Sequence, residues 1–255
     1  MSKRLSKALA AAGIASRRAC EEMIFQGRVR VNGQTVLIPQ TQVIWGKDQI
    51  EVDGRKIKGE EHKKYFLLNK PVSFICSTEG RKTVYDLFSG LGNCPRIFSV
   101  GRLDRDTSGL LLLTNDGHFA HRVMHPSFNV AKEYLAKARQ EISPEHLKKA
   151  SKGIYVQGSF VKPVKVKKVR RSSIKIVVME GKKHEVREIL KAAGLDILEL
   201  KRIRIGKLIL GSLPVGQYRE LSQKEIDFFN SKGKAELKQV FDPSYDHDNL
   251  DFDAL

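Results

Sequence analysis

The chain has 255 residues, of which 41% are hydrophobic and 29% charged, with a formal net charge of +17. That is enough apolar material for a core in one large domain or in a small and a larger one, and it excludes a compositionally disordered or fibrous chain. The positive surplus must lie mostly on the surface, where it suits a polyanionic partner better than an acidic or apolar one.

In chain order, the first expected element is a helix with Leu5, Leu9 and Ala12 on one face, ended by Gly13. The basic residues and alanine run at the N-terminus lack the apolar core and cleavage site of a signal peptide. Ser16 is the natural N-cap of a second helix, which Gly27 closes. Val29-Arg30-Val31, the turn pair Asn32-Gly33 and a return through Val36 read as a hairpin, and Gln49–Val52 as one more strand. The charged run 55–64 reads as a linker, so residues 1–62 are expected to form a small front domain.

A second domain is expected over residues 65–232. Strand-like YFLLN, GLLLLT, EYLAKA, SIKIVVM and LELKRIRIG are interspersed with helical HFAHRVM, SPEHLKKA, HEVREILKAAG and QKEIDFF. This is an α+β pattern with a mostly antiparallel mixed sheet and flanking helices. Residues 233–255 are rich in aspartate near their end and read as a disordered acidic tail.

Three cysteines, Cys20, Cys76 and Cys94, stand far apart with no CxxC pair, which argues against a disulfide framework or structural zinc and suits a reducing cytosol. No apolar run spans a bilayer, so no membrane association and a cytoplasmic location are expected. His118, His121 and His125 fall on adjoining helical turns but match no ligand pattern, and no metal is expected there. The glycines form neither a phosphate-binding loop nor a dinucleotide fingerprint.

Arg4, Lys7, Arg17, Arg18, Arg28 and Arg30 cluster on the front elements. Arg17 and Arg18 occupy a first helical turn, where the helix dipole disfavours cations, so an outside phosphate is the partner expected for them; a solvated basic face is the plainer alternative. Arg4-Leu5-Ser6-Lys7, Ser16-Arg17-Arg18 and the run from Gly27 to Gly33 resemble the S4 (αL-like) RNA-binding module.

The richest stretch for chemistry is Gly101-Arg102-Leu103-Asp104-Arg105-Asp106-Thr107-Ser108-Gly109, set between apolar strands. Two carboxylates and two arginines between buried strands are costly unless paired. Such a loop is a candidate for acid/base or nucleophilic chemistry, or else a polar turn with surface ion pairs. The longer segment GRLDRDTSGLLLLTNDG resembles the catalytic signature of pseudouridine synthases, most of all the bacterial branch that modifies ribosomal RNA and carries an S4 module in front. Asn69-Lys70-Pro71, Lys132-Glu133-Tyr134, the run from Glu180 to Arg187 with Leu190, and RIRIGKLILGSLPVGQYREL resemble the other family motifs, in family order. One departure is Ser73, where the family usually has glycine, which leaves the local turn in question.

The resemblance implies uridine isomerisation in ribosomal RNA, leaning to the large subunit, free or in an assembly intermediate, by a monomer without cofactor or metal. It implies Asp104 as nucleophile, Tyr134 stacked on the target base, Arg187 as the cation paired with Asp104, and Leu190 and Lys70 in the substrate pocket. Arg102 is the candidate to fill the space left by a flipped base, and Asp106 has a structural role. A non-catalytic RNA-binding or ribosome-assembly factor is the competing reading; DNA binding lacks a recognition-helix signal.

Overall fold

A computed structural model describes residues 2–92 and 94–231. The chain divides into two compact units, Met1–Lys64 with Asn93–Phe98, and Tyr65–Gly92 with Ser99–Leu255. The segment 233–255, expected as an acidic tail, lies outside the described residues.

In the first unit β1 (Lys3–Arg4) runs straight into α1 (Leu5–Ala11), and α2 (Arg17–Phe25) follows. Ser16 caps α2 by accepting the Ala19 N–H at 3.1 Å. Next come β2 (Val29–Val31), β3 (Gln34–Thr35), β4 (Gln42–Val43), β5 (Ile50–Val52) and β6 (Arg55–Ile57). Strands order as β3-β2-β5-β6, all antiparallel, while β4 pairs with β1. Leu5, Leu9, Cys20, Ile24, Val29, Val43 and Ile50 are buried together, so both helices and the sheet share one core.

The stretch read as a linker therefore begins with a strand. Asp53 (φ 50°) and Gly54 (φ 75°) form a two-residue hairpin turn with both residues left-handed, as Asn32-Gly33 does upstream. Arg55–Ile57 then pairs with β5, although its polar composition hides the pairing. Farther on, the Glu61 N–H donates to the Ala11 carbonyl at 3.0 Å, so this stretch too is tied to the first unit.

The second unit opens with β7 (Tyr65–Lys70), β8 (Phe98–Val100), β9 (Thr107–Thr114), α3 (Gly117–Met124) and β10 (Lys132–Ala138). It continues with α4 (Pro144–Lys152), β11 (Ile154–Val156), β12 (Ser159–Val161), β13 (Lys165–Arg170), β14 (Ser173–Val178) and α5 (Glu185–Ala192). It ends with β15 (Ile197–Ile205), β16 (Leu208–Ile209), β17 (Tyr218–Glu220) and α6 (Gln223–Ser231). The main sheet orders as β13-β14-β10-β15-β9-β7-β17, with β8 on β9 and β16 on β15; β11 and β12 form a separate hairpin. The α+β class with a mostly antiparallel mixed sheet is what the alternation of elements predicts.

Leu110–Leu113 of β9 are fully buried, so both faces of this central strand are covered. Each such leucine contributes roughly 2 kcal/mol by leaving water. α3 and α6 pack together through Phe119 and Phe229, whose rings meet edge-on at 5.4 Å. β9 pairs parallel to β15 and antiparallel to β7. That parallel pair carries the end of the charged loop to the centre of the sheet.

Candidate active site

The charged loop leaves β8 at Gly101, whose φ of 75° suits glycine, and re-enters the sheet at Thr107. Leu103 is buried beneath it, and the Thr107 N–H donates to the Asp104 carbonyl at 3.1 Å, closing a tight turn. The turn holds Asp104 at the wall of a cleft of about 810 Å³. Opposite walls come from Lys132 and Tyr134 of β10, the 178–184 turn, the first residues of α5, and Leu200 and Arg202 of β15.

Cross-strand register sets up the cleft floor. Tyr134 lies opposite Arg202, Arg202 opposite Gly109, and Gly109 opposite Lys70, in one row over four strands. Gly109 must be glycine: a Cβ there would overlap the Arg202 backbone, and its φ is 101°. Arg202 is 3% exposed. Its Nε donates to the Leu110 carbonyl at 2.8 Å, Nη1 approaches the Tyr134 hydroxyl at 3.5 Å, and its guanidinium lies 6.0 Å from the Tyr134 ring centre.

The structure differs from the expected ion pairing. Arg187 is bound to Asp106, through Nη2 to Oδ2 at 2.9 Å and to the backbone carbonyl at 3.0 Å. The ring facing Asp104 is that of His184, with Nε2 3.3 Å from Oδ1. His184 stands just before α5 with φ 59°, a left-handed conformation that turns the chain into the helix. Glu185, buried at the helix start, accepts the Lys182 N–H at 2.9 Å and holds that turn; burial pushes its carboxyl pKa up. Asp106 thus has the structural part expected of it, as an anchor of the loop to Arg187.

Two residues expected in the pocket lie behind it. Lys70 is fully buried and donates to the carbonyls of Thr107 at 2.8 Å and Pro71 at 3.0 Å, bracing the loop from below. Burial lowers its ammonium pKa to about 8, opposed by the nearby acidic groups of Cys76, Asp106 and Asp104. Leu190 is also fully buried, and Val186, one helical turn earlier on the same face, lines the cleft instead. Arg102 is exposed on the cleft wall.

Ser73 keeps the turn usually given to glycine. It adopts φ 70°, and its N–H donates to the Arg105 carbonyl at 2.7 Å, so this segment too braces the loop. Cys76 does the same from the side, with Sγ 3.5 Å from the Leu103 N–H.

Sequence reasoning gives no role to His184, Lys132 or Arg202. Lys132 Nζ donates to the carbonyls of Val130, Met179 and Glu180 at 3.2, 3.3 and 3.3 Å, and burial first, then Arg202, lowers its pKa to about 8. A signal for Arg202 exists in the strand period: it shares the face of Leu200, two residues before it, and so points inward. Three buried polar atoms at these walls have no partner among the described residues: Arg202 Nη2, Arg187 Nε and Thr107 Oγ1. A buried polar group left unpaired costs about 1–3 kcal/mol, so these three atoms weaken the local packing rather than add to it.

In the first unit Arg4, Arg17, Arg18, Arg28 and Arg30 are exposed and Lys7 half-buried. Arg28 forms a two-pronged pair with Asp53 at 2.9 and 2.7 Å, Arg30 donates to the Gly33 carbonyl at 2.7 Å, and Arg17 meets Glu21 at 3.4 Å. Exposed pairs of this kind contribute only about 0–1 kcal/mol, so a phosphate can displace them. Among the described residues no helix is long and apolar enough to cross a membrane.

A mixed-sheet domain with a carboxylate loop at the wall of a cleft, preceded in the chain by a basic helix–hairpin unit, matches a class of proteins that modify RNA. Residues 64–192 match the RNA pseudouridylate synthase family and residues 3–50 the S4 domain. The chain is 42% identical to "Ribosomal large subunit pseudouridine synthase B" of Bacillus subtilis (strain 168), over 88% of this chain and 94% of that protein. It is 43% identical to "Putative ribosomal large subunit pseudouridine synthase SVR1, chloroplastic" of Arabidopsis thaliana, over 88% of this chain but only 60% of that longer protein. A solved structure described as "Crystal structure of pseudouridylate synthase" superposes with a TM-score of 0.64 at 32% identity, covering 89% of this chain and 99% of that one. The chain belongs to the RNA pseudouridylate synthase family.

Proposed function

We propose that this protein isomerises uridine to pseudouridine in large-subunit ribosomal RNA, with Asp104 as the nucleophile. The observation that carries the reading is the position of Asp104 on a tight turn at the cleft wall, across from Tyr134 and Arg202. The relatives named as large-subunit enzymes support the choice of RNA.

In this reading the target uridine leaves its stack and enters the cleft, and Arg102 fills the space it vacates. Tyr134 stacks on the base. The Asp104 carboxylate holds the sugar or the base covalently while the N1–C1′ bond is broken. The base turns, C5 bonds to C1′, the bond to Asp104 breaks and returns the carboxylate, C5 loses its proton and N1 gains one, so the product is an isomer and the enzyme is restored. Arg187 acts on the reaction through Asp106 and the loop, and His184 orients Asp104.

Residues 1–62 hold the RNA, with Arg4, Lys7, Arg17, Arg18, Arg28 and Arg30 on phosphates, and residues 65–232 perform the chemistry. The protein acts as a cytoplasmic monomer on free ribosomal RNA or an assembly intermediate. A binding-only factor has no use for a carboxylate poised at the wall of a cleft. Mapping pseudouridines in ribosomal RNA from cells with and without the protein tests the assignment. Loss of one or a few sites in the large-subunit RNA is expected, and an unchanged map would refute it.

A further inference from the structure

The hairpin of β11 and β12 takes no part in the cleft, yet it carries two aromatic rings in water. Tyr155 is 76% exposed and Phe160 51% exposed, and their rings meet edge-on at 5.4 Å. The two residues are direct cross-strand partners. Their neighbours Val156 and Val161 point the other way and are buried, so one face of the hairpin anchors it and the other presents the rings. Gln157 (φ 48°) and Gly158 (φ 77°) make a tight two-residue turn, and Phe160 lies over Gly153, which has no room for a side chain. The pair is therefore held in place before anything binds. β11 packs against α5, the helix that carries Arg187.

The surroundings are strongly cationic. Residues 141–171 contain nine lysines and arginines against two glutamates, Glu141 and Glu145. Lys152 and Lys162, both exposed, flank the hairpin at its base. Exposed aromatic faces among cations are what an unpaired nucleotide needs: a ring to stack on and a charge for its phosphate. An apolar protein partner would use the rings but leave the net positive charge unanswered. We propose that the Tyr155–Phe160 hairpin is a second RNA contact, a platform on which an unpaired base of the substrate stacks while Lys152 and Lys162 hold the adjoining phosphates. The proposal rests on the reading of the protein as an RNA-modifying enzyme and adds a contact outside both the cleft and the front unit.

The test reads binding, so it is independent of turnover. In the full chain with Trp45→Phe, Tyr155→Trp provides a single reporter, titrated with oligouridylate and with heparin, which has charge but no bases. Quenching by oligouridylate and not by heparin is the expected result. Oligouridylate that binds by anisotropy without quenching, or equal quenching by heparin, overturns the platform. In the otherwise native chain, Tyr155→Ala with Phe160→Ala is expected to weaken the Kd for oligouridylate roughly tenfold, as for removal of one stacked base, without changing its salt dependence. Tyr155→Phe keeps the affinity, and Lys152→Gln with Lys162→Gln lowers the salt slope instead. A native Kd in the double alanine variant refutes the proposal, including the case in which that variant has lost only a protein partner. Failure of the enzymatic reading shows separately, as absence of isomerisation by the native chain.

Discussion

Asp104 faces an imidazole and Asp106 faces a guanidinium, and this division decides what each substitution should do. Arg187 is 21% exposed in its side chain but Asp106 is 64% exposed, so their ion pair is screened and contributes no more than about 1 kcal/mol to stability. Its value lies in fixing the loop, because Nη2 grips both the side chain and the backbone of Asp106. Arg187→Met is therefore expected to melt close to the native protein while its single-turnover rate falls by about a hundredfold, the scale of a reacting group displaced by an ångström. Arg187→Lys keeps the charge without the planar fork and should fall between the two. A large loss of stability with a native rate in the folded fraction would mean that Arg187 serves the core and not the loop. Ser73 is a smaller case of the same logic: a left-handed serine is tolerated because its N–H is needed by the Arg105 carbonyl.

The elements that matter most are four neighbouring strands whose register aligns Tyr134, Arg202, Gly109 and Lys70. Lys70 ends that row inside the sheet, its pKa lowered to about 8 by burial. The unfolded chain, with an ordinary lysine pKa of about 10.4, then binds more protons than the folded one between about pH 8 and 10. Stability should rise with pH through that window, by up to about 1.4 kcal/mol per pH unit for each such lysine. Lys132, lowered to about 8 by the same cause, adds to the slope. In Lys70→Met the slope between pH 8 and 10, read from denaturant midpoints, is expected to lose one proton's worth. A slope identical to that of the native chain would mean that Lys70 is not titrating in that window.

This layer also shows where sequence reading stops. Periodicity locates β7, β9, β10, β14 and β15, and the capping residue Ser16 locates the start of α2. Nothing in those segments reveals that β9 runs parallel to β15, and only that pairing sets Arg202 beside Gly109 at the end of the charged loop. For the same reason Lys70 reads as a pocket residue from its motif and turns out to be buried beneath the loop. The motif gives Leu190 a place on the cleft wall that its helical phase gives to Val186. The Asp53-Gly54 hairpin is legible from its turn pair, but charged neighbours mask it as a linker.

At the scale of the molecule, a formal charge of +17 is divided over two compact units. Arg17 and Arg18 open a helix where the dipole disfavours them, and the carboxylate beside Arg17, that of Glu21, belongs to the same helix. In the full chain, Arg17→Gln with Arg18→Gln should weaken RNA binding and lower the slope of log affinity against log salt by about 0.7–0.9 for each phosphate no longer neutralised. The rate at saturating RNA should stay native. An unaltered slope would leave these arginines without a phosphate role. Substitution is preferable to deleting the front unit, because Asn93–Phe98 belongs to that unit and would be left without its neighbours.

The central claim is that Asp104 performs the chemistry, and release of tritium from C5 of uridine in a ribosomal RNA transcript reads that chemistry directly. Under single-turnover conditions at saturating enzyme the native chain should release the label. Asp104→Asn, nearly the same shape but a far poorer nucleophile, should bind the transcript with native affinity and release none. Release at even a tenth of the native rate by a folded Asp104→Asn protein would contradict the account and move the nucleophile elsewhere in the cleft.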